Sequence, residues 1–174
     1  MYKISKENVR LLDAVDVYRL VLDRKIKRFP LGFWKRPEAE QNAIKYVTYL
    51  IEELLKWDDK KILKCLSNKV FAEYGLLSII TNLYKGSVYS IVEDTYPGRF
   101  KPWELSQISK GYWNETTAKE ALLWVVKEKL DFKREEIENI NKSKLAAYGL
   151  KISFLQVFDN DIEAIKKYLL SLLD

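Results

Sequence analysis

The carboxylates of this chain are numerous, but their spacing does not suit acid–base catalysis. General acid–base chemistry needs two carboxyl groups that converge on one cleft in different environments. Adjacent pairs fall at the ends or on the polar faces of predicted helices, at Glu52/Glu53, Asp58/Asp59 and Glu135/Glu136. We therefore interpret these pairs as helix caps and solvated surface, and we predict no catalytic residue.

Histidine is absent, and Cys65 is the only cysteine. The chain thus lacks the commonest general base and metal ligand, and no imidazole could activate the thiol. Cys65 lies among apolar residues in the sequence, so we expect it to be buried. We predict a protein that is not an enzyme and holds no metal or cofactor. An oxygen-ligand Mg²⁺ or Ca²⁺ site stays open as an alternative, because carboxylates are plentiful.

The location of the protein follows from what the sequence lacks. No apolar run reaches the roughly 20 residues that cross a bilayer, and the first residues lack the apolar stretch of a signal peptide. A single cysteine excludes an intramolecular disulfide, which suits a reducing compartment. We expect a soluble, cytoplasmic protein that makes no membrane contact.

Basic residues are concentrated at the N-terminal end. The net charge is +5, and residues 1–36 contain ten Lys/Arg against four Asp/Glu, a balance of +6. Such an excess predicts a basic face for an acidic partner, nucleic acid first among them, with a solvated surface as the alternative. The candidate phosphate contacts are Arg24, Lys25, Lys27, Arg28, Lys35 and Arg36, followed by Arg99, Lys101 and Lys110 in a later connector.

Three tryptophans stand beside these basic residues, at Trp34, Trp103 and Trp113. Aromatic rings interleaved with cations could stack on nucleobases. The alternative is that each ring anchors its connector to the helices, and this is favoured because the Gly-aromatic-Trp triplet recurs.

The elements that must position these residues are helices. Apolar residues recur at three- and four-residue spacing over residues 9–22, 43–55, 76–84, 118–130 and 150–170, and no alternation of period two is sustained. Asp58 and Asn114 are predicted N-caps, and Pro37 suits the first turn of a helix. Gly75 and Gly149 are predicted left-handed turns between helices. The fold class is therefore all-α without significant β-sheet.

An internal repeat organises the helices. The triplet at residues 32–34 recurs at 111–113, and Tyr-Gly-Leu at 74–76 recurs at 148–150. These matches predict two tandem multi-helix repeat units that form one compact helical domain over residues 1–174. We assign residues 1–31 to a partial basic unit, 32–108 to a full repeat and 109–174 to a truncated second repeat.

The segment YPGRFKPWE at residues 96–104, together with GYWN at 111–114, resembles an uncharacterised helical repeat family. That family is a domain of unknown function found in low-GC Gram-positive bacteria and their phages. The resemblance extends over most of residues 28–174. It implies a phage or prophage origin, and it transfers no catalytic residues because the family has no assigned function. The turn at residues 86–89 is similar to the helical repeats that accompany homing endonucleases, which implies DNA binding.

Two functional hypotheses follow. The leading one is a non-enzymatic DNA- or RNA-binding regulator whose basic N-terminal segment and 99–110 connector contact phosphates. A helix–Gly–helix stretch at 67–84, with Thr81, Asn82 and Lys85 on its polar side, resembles a helix-turn-helix only weakly. The alternative is a protein–protein interaction module, such as a phage inhibitor or adaptor of a host protein, anchored by exposed aromatic residues.

Overall fold

Apolar residues at helical spacing fold into helices along the whole of the described chain. The computed structural model describes residues 12–30 and 32–173, and within these ranges it contains no strand. The all-α prediction is thus confirmed for the described residues. The part of the predicted N-terminal unit at residues 1–11 and 31, and the final residue 174, lie outside them. The chain divides into two compact units, the first ending at Gln107 and the second beginning at Ile108.

The described part of unit 1 contains six short α-helices. They are α1 (Ala14–Leu22), α2 (Ala39–Thr48), α3 (Asp59–Cys65), α4 (Asn68–Glu73), α5 (Leu77–Asn82) and α6 (Val88–Thr95). Helix α2 continues into a wider π-helical turn over Tyr49–Leu54, and 3-10 turns occupy Phe33–Lys35 and Pro102–Glu104.

The core of unit 1 forms around α2, which packs against α1 and α6. Leu50, Ile51 and Phe71 are fully buried there, and each contributes roughly 1.5–3 kcal/mol relative to exposure in water. Tyr18 is also fully buried, and its hydroxyl donates to the Tyr74 carbonyl oxygen at 3.0 Å. This bond fastens α1 to the turn between α4 and α5.

That turn requires glycine. Gly75 has φ +74°, and a Cβ atom there would lie 2.9 Å from Cγ1 of Val21 on α1. The left-handed conformation predicted for Gly75 and Gly149 is confirmed, since Gly149 has φ +88°.

Unit 2 repeats this use of short helices. They are α7 (Glu115–Trp124), α8 (Arg134–Glu138), α9 (Lys142–Ala147), α10 (Ile152–Leu155) and α11 (Ile162–Leu170), with a π-helical turn at Val125–Lys129 and a 3-10 turn at Gln156–Phe158. Helix α11 packs against α8, and the core buries Leu122, Val126, Ile137, Phe154 and Ile165.

Two predicted helix starts are confirmed by their N-cap side chains, while two other local predictions are wrong. Asp58 and Asn114 are confirmed as caps, accepting the backbone N–H groups of Lys61 and of Thr116 and Thr117 respectively. Pro37 was predicted in the first turn of α2, and this is wrong, because the helix begins two residues later at Ala39. Cys65 was expected to be buried, and it is only half-buried, because it ends α3 next to the unit surface. The repeat and its boundaries stay predictions.

Candidate nucleic-acid interface

The first candidate element is the turn that follows α1, residues 23–30, which we call the basic turn segment. Its backbone closes the end of α1, with Arg24 N–H donating to Val21 O and Lys25 N–H to Leu20 O. Arg24 adopts the left-handed conformation at φ 55°. Phe29 is 7 % exposed and anchors the segment in the core, so the four cations between Arg24 and Arg28 are left at the surface.

The second element is the Gly32-Phe33-Trp34 triplet. Gly32 has φ +76° and turns the chain into the 3-10 turn that begins at Phe33. Trp34 is half-buried, and its ring centroid lies 4.8 Å from that of Phe29. Its indole Nε1–H donates to the Ser78 hydroxyl at 3.1 Å, which ties the triplet to α5. Buried indole groups usually need such a partner.

These elements enclose a cavity of about 250 Å³, which we call the Trp34 cavity. Its walls come from the basic turn segment, the triplet and α5, and no acidic side chain of the described residues lines it. The lining residues that matter here are Arg28, Pro30, Trp34, Lys35, Ser78 and Asn82. The structure therefore brings three of the sequence-predicted residues, Arg28, Trp34 and Lys35, to one concave surface.

A buried tyrosine supports this cavity without adding charge. Tyr46 is fully buried, with its ring centroid 5.4 Å from that of Phe29 and 6.1 Å from that of Trp34. Burial raises the pKa of Tyr46 above its ordinary value, Asp13 raises it further, and Arg36 acts in the opposite direction. The phenol is therefore neutral at physiological pH, and the aromatic cluster contributes no anion beside the cations.

Two other basic residues of this region make contacts within the chain. The Lys25 ammonium lies 3.3 Å from a carboxylate oxygen of Asp23. The Arg36 guanidinium lies over the Phe33 ring, 4.9 Å from its centroid. By contrast, Arg24, Lys27, Arg28 and Lys35 form no ion pair with any residue in the described ranges.

The connector after α6 uses its cation within the fold. Arg99 pairs with Asp59 through two contacts, at 2.6 and 3.3 Å, and also lies over the Tyr96 ring at 5.3 Å. Lys101 is half-buried, and its N–H donates to Glu104. Trp103 is only 5 % exposed, which makes it an anchor of the connector rather than an open stacking surface.

Lys110 and Trp113 belong to unit 2. Lys110 is exposed, while Trp113 is half-buried with its ring centroid 5.1 Å from that of Phe154 and 5.1 Å from that of Tyr112. A cavity of about 500 Å³ between α8 and α11 also lies in unit 2, and it mixes cations such as Lys166 with Glu138 and Glu163. The Lys166 ammonium is 2.9 Å from Glu163, so opposite charges offset each other there.

Sequence reasoning missed Ser78. It placed Asn82 on the outward, groove-facing side of a helix-turn-helix, whereas Asn82 and Ser78 together line the Trp34 cavity. The available signal was the need of the Trp34 indole for an acceptor, but nothing in the spacing of Trp34 and Ser78 selects that serine.

The described residues contain no group of three or more His, Cys, Asp or Glu side chains arranged to hold a metal ion. None of the helices in residues 12–30 and 32–173 is both long and apolar enough to span a membrane.

The helical class and the cavity define a small all-α protein with a basic, aromatic-lined surface in its first unit. A family model described as protein of unknown function DUF4046 matches residues 14–101, and the chain belongs to that family. The match contains the whole Trp34 cavity and most of unit 1. It does not extend over residues 102–174, so the resemblance of that part stays a prediction. Comparisons with curated proteins and with solved structures found no match.

Proposed function

We propose that this protein is a non-enzymatic regulator that binds nucleic acid through the Trp34 cavity and the basic turn segment. The observation that carries the proposal is the convergence of Arg28, Lys35 and the Trp34 indole on one concave surface, which no acidic side chain within residues 12–30 and 32–173 lines. Cations contact phosphates, and an aromatic ring beside them offers a surface for a base.

The ion pairing of the candidate cations supports this choice of surface. Arg28 and Lys35 have no ion-pair partner among the described residues, so binding a phosphate would not require breaking an existing pair. Arg99 would first have to leave Asp59. We therefore centre the proposal on Arg28 and Lys35, with Arg24 and Lys27 as neighbouring phosphate contacts and the 99–110 connector as a secondary surface.

The proposal also includes the repeat. In support of it, Gly32 and Gly111 both have φ +76°, and the π-helical turns after α2 and α7 are followed by left-handed residues, Lys56 and Asp131. At the spacing of the triplets, the counterparts of Arg28 and Lys35 are Gln107 and Asn114. The two cations of the cavity thus flank the first triplet and have no charged counterpart beside the second.

A phage or prophage origin and a cytoplasmic location complete the proposal. The first rests on the motif at residues 96–104, and the second on the single cysteine.

The test measures binding of the full chain to labelled single- and double-stranded oligonucleotides by fluorescence anisotropy across a series of salt concentrations. The test variant is Arg28→Gln/Lys35→Gln. The matched control is Lys127→Gln/Lys142→Gln, which removes two exposed lysines from unit 2. Losing two phosphate contacts should reduce the slope of log K against log salt by about 1.4 for a single strand, which is about 25-fold in affinity near 0.1 M salt.

The control variant should change affinity by less than threefold. Absence of binding to every duplex and single strand at low salt would contradict the proposal. Equal losses of affinity in the test and control variants would contradict it as well. A single stoichiometric protein partner that survives nuclease treatment would then favour the interaction-module hypothesis instead.

A further inference from the structure

The Trp34 cavity is concave, and this shape distinguishes between kinds of nucleic acid. Reading a duplex requires an element that projects into a groove, because the bases of a duplex are stacked and paired. Here the helix that would project, α5, contributes Ser78 and Asn82 to a cavity that the basic turn segment and the triplet share. That surface of α5 therefore faces an inward-curving site and not an open groove.

We infer that the Trp34 cavity receives one unstacked base of a single-stranded nucleic acid, with Arg28 and Lys35 holding the phosphates beside it. The inference rests on the proposed function and specifies its ligand. Single-stranded recognition commonly stacks a splayed base on an aromatic side chain and contacts its backbone with cations. All of these chemical groups line this one cavity.

The size of the cavity suits one base. Its volume of about 250 Å³ lies below the roughly 300–1,000 Å³ of sites that take drug-sized ligands. Phe29, Pro30 and Trp34 supply apolar wall. A planar ring system can fill such a space, whereas a second base would have to lie outside it.

The polar groups of the wall match the edge of a base. The Ser78 hydroxyl accepts from the Trp34 indole at 3.1 Å, and its own proton is donated to no described residue. The Asn82 amide nitrogen donates to the Ser78 carbonyl at 2.7 Å, which leaves the amide oxygen of Asn82 as an acceptor. One neutral donor and one neutral acceptor, on consecutive turns of α5, therefore line the cavity and suit the hydrogen-bonding edge of a base.

The experiment compares three labelled probes of equal length: a single strand, the same strand with every base removed, and the duplex. Each is titrated with the wild-type chain by anisotropy. The single strand should bind about tenfold more tightly than the abasic strand, because base–aromatic stacking is lost in the latter. The duplex should bind more weakly than the single strand.

Three variants test which residues contact the base and which contact the phosphates. Asn82→Leu should weaken binding of the normal single strand about fivefold and leave the abasic strand unchanged, because it removes only a base contact. Arg28→Gln should weaken both strands by a similar factor. Thr81→Ser, one residue away, keeps the hydroxyl that the Asn82 amide contacts at 3.4 Å and should change neither. Circular dichroism melting confirms that each variant is folded.

The possible failures are distinguishable. If the duplex binds best, or if the abasic strand binds as tightly as the normal one with Arg28 dependence intact, the base-pocket inference is overturned while the proposed function survives. If no probe binds at low salt, both are overturned.

Discussion

Units 1 and 2 contain the same Gly-aromatic-Trp triplet, but they use its flanking positions differently. In unit 1 the flanking side chains Arg28 and Lys35 line a cavity and have no ion-pair partner among the described residues. At the counterpart positions around the second triplet, Gln107, the last residue of unit 1, accepts the Asn68 N–H at 3.0 Å, and Asn114 of unit 2 caps α7. The fold thus uses the flanking side chains of the second triplet and leaves those of the first available.

This difference separates the residues that stabilise the fold from those that are available to bind a ligand. Both tryptophans pack on aromatic neighbours, Trp34 on Phe29 and Trp113 on Phe154, so the triplet itself is explained by packing. What unit 1 adds is the positive charge of Arg28 and Lys35, which form no ion pair with any described residue. The cavity of unit 2 between α8 and α11 instead has Glu138 and Glu163 among its cations. We therefore expect the two units to respond alike to changes in packing and differently to changes in charge.

The largest effect on stability is expected from truncating the triplet tryptophans. Trp34→Ala and Trp113→Ala should each lower the free energy of unfolding by about 3 kcal/mol, because each leaves a cavity beside aromatic neighbours. Urea denaturation followed by circular dichroism measures both. A loss below about 1 kcal/mol for one variant only would show that the two triplets do not share a structural role.

A smaller effect distinguishes two buried tyrosines of unit 1. Tyr46 has no hydrogen-bond partner for its hydroxyl among the described residues, whereas the Tyr18 hydroxyl donates to the Tyr74 carbonyl. Tyr46→Phe should therefore raise the free energy of unfolding by about 1 kcal/mol, and Tyr18→Phe should lower it by about 1 kcal/mol. Thermal and urea denaturation at pH 7 compare the two variants.

The dependence of stability on alkaline pH tests the burial of Tyr46 independently. Burial raises the pKa of Tyr46 above the value near 10 of an unfolded chain, so the folded state keeps a proton that the unfolded state loses. Below pH ~10 both states keep the proton, and the contribution of Tyr46 to the free energy of unfolding does not depend on pH. Above pH ~10 the unfolded state loses the proton, so the free energy of unfolding falls as pH rises. Tyr46→Phe should make that fall shallower by about 1.4 kcal/mol per pH unit. An unchanged slope would mean that the Tyr46 hydroxyl is exposed.

The smallest effect concerns the connector. Asp59→Asn removes the partner of Arg99, and both side chains are about half-exposed, so the free energy of unfolding should fall by only about 0.5 kcal/mol. Nucleic-acid affinity should stay within twofold. A tenfold rise in affinity would show that freed Arg99 contacts phosphate, and would restore the connector as a primary surface.

The sequence predicts the helices and their signals well, because apolar periodicity and capping are local. Asp58, Asn114, Gly75 and Gly149 could each be interpreted from their immediate neighbours. Interruptions were harder to foresee: periodicity is continuous over residues 150–170, yet left-handed Asp159 and Asn160 separate the 3-10 turn after α10 from α11. No glycine or proline marks that break.

The candidate site was predictable only in part. The cations and Trp34 stand out in the sequence because their types and density are unusual near the N-terminal end. Ser78 and Asn82 do not, since their place in the cavity depends on how α5 packs against a turn more than forty residues earlier. Likewise, only the fold reveals that Arg99 is paired with Asp59 while Arg28 is not.

The π-helical turn that ends the helix carrying Tyr46 has a consequence for length tolerance. A π-helical turn accommodates one more residue than an α-helical turn without ending the helix. A single deletion between Tyr49 and Leu54 can therefore be absorbed when this turn tightens to an α-helical turn. The ten residues of α2 that precede it, and with them the wall of aromatic rings behind the cavity, would keep their register.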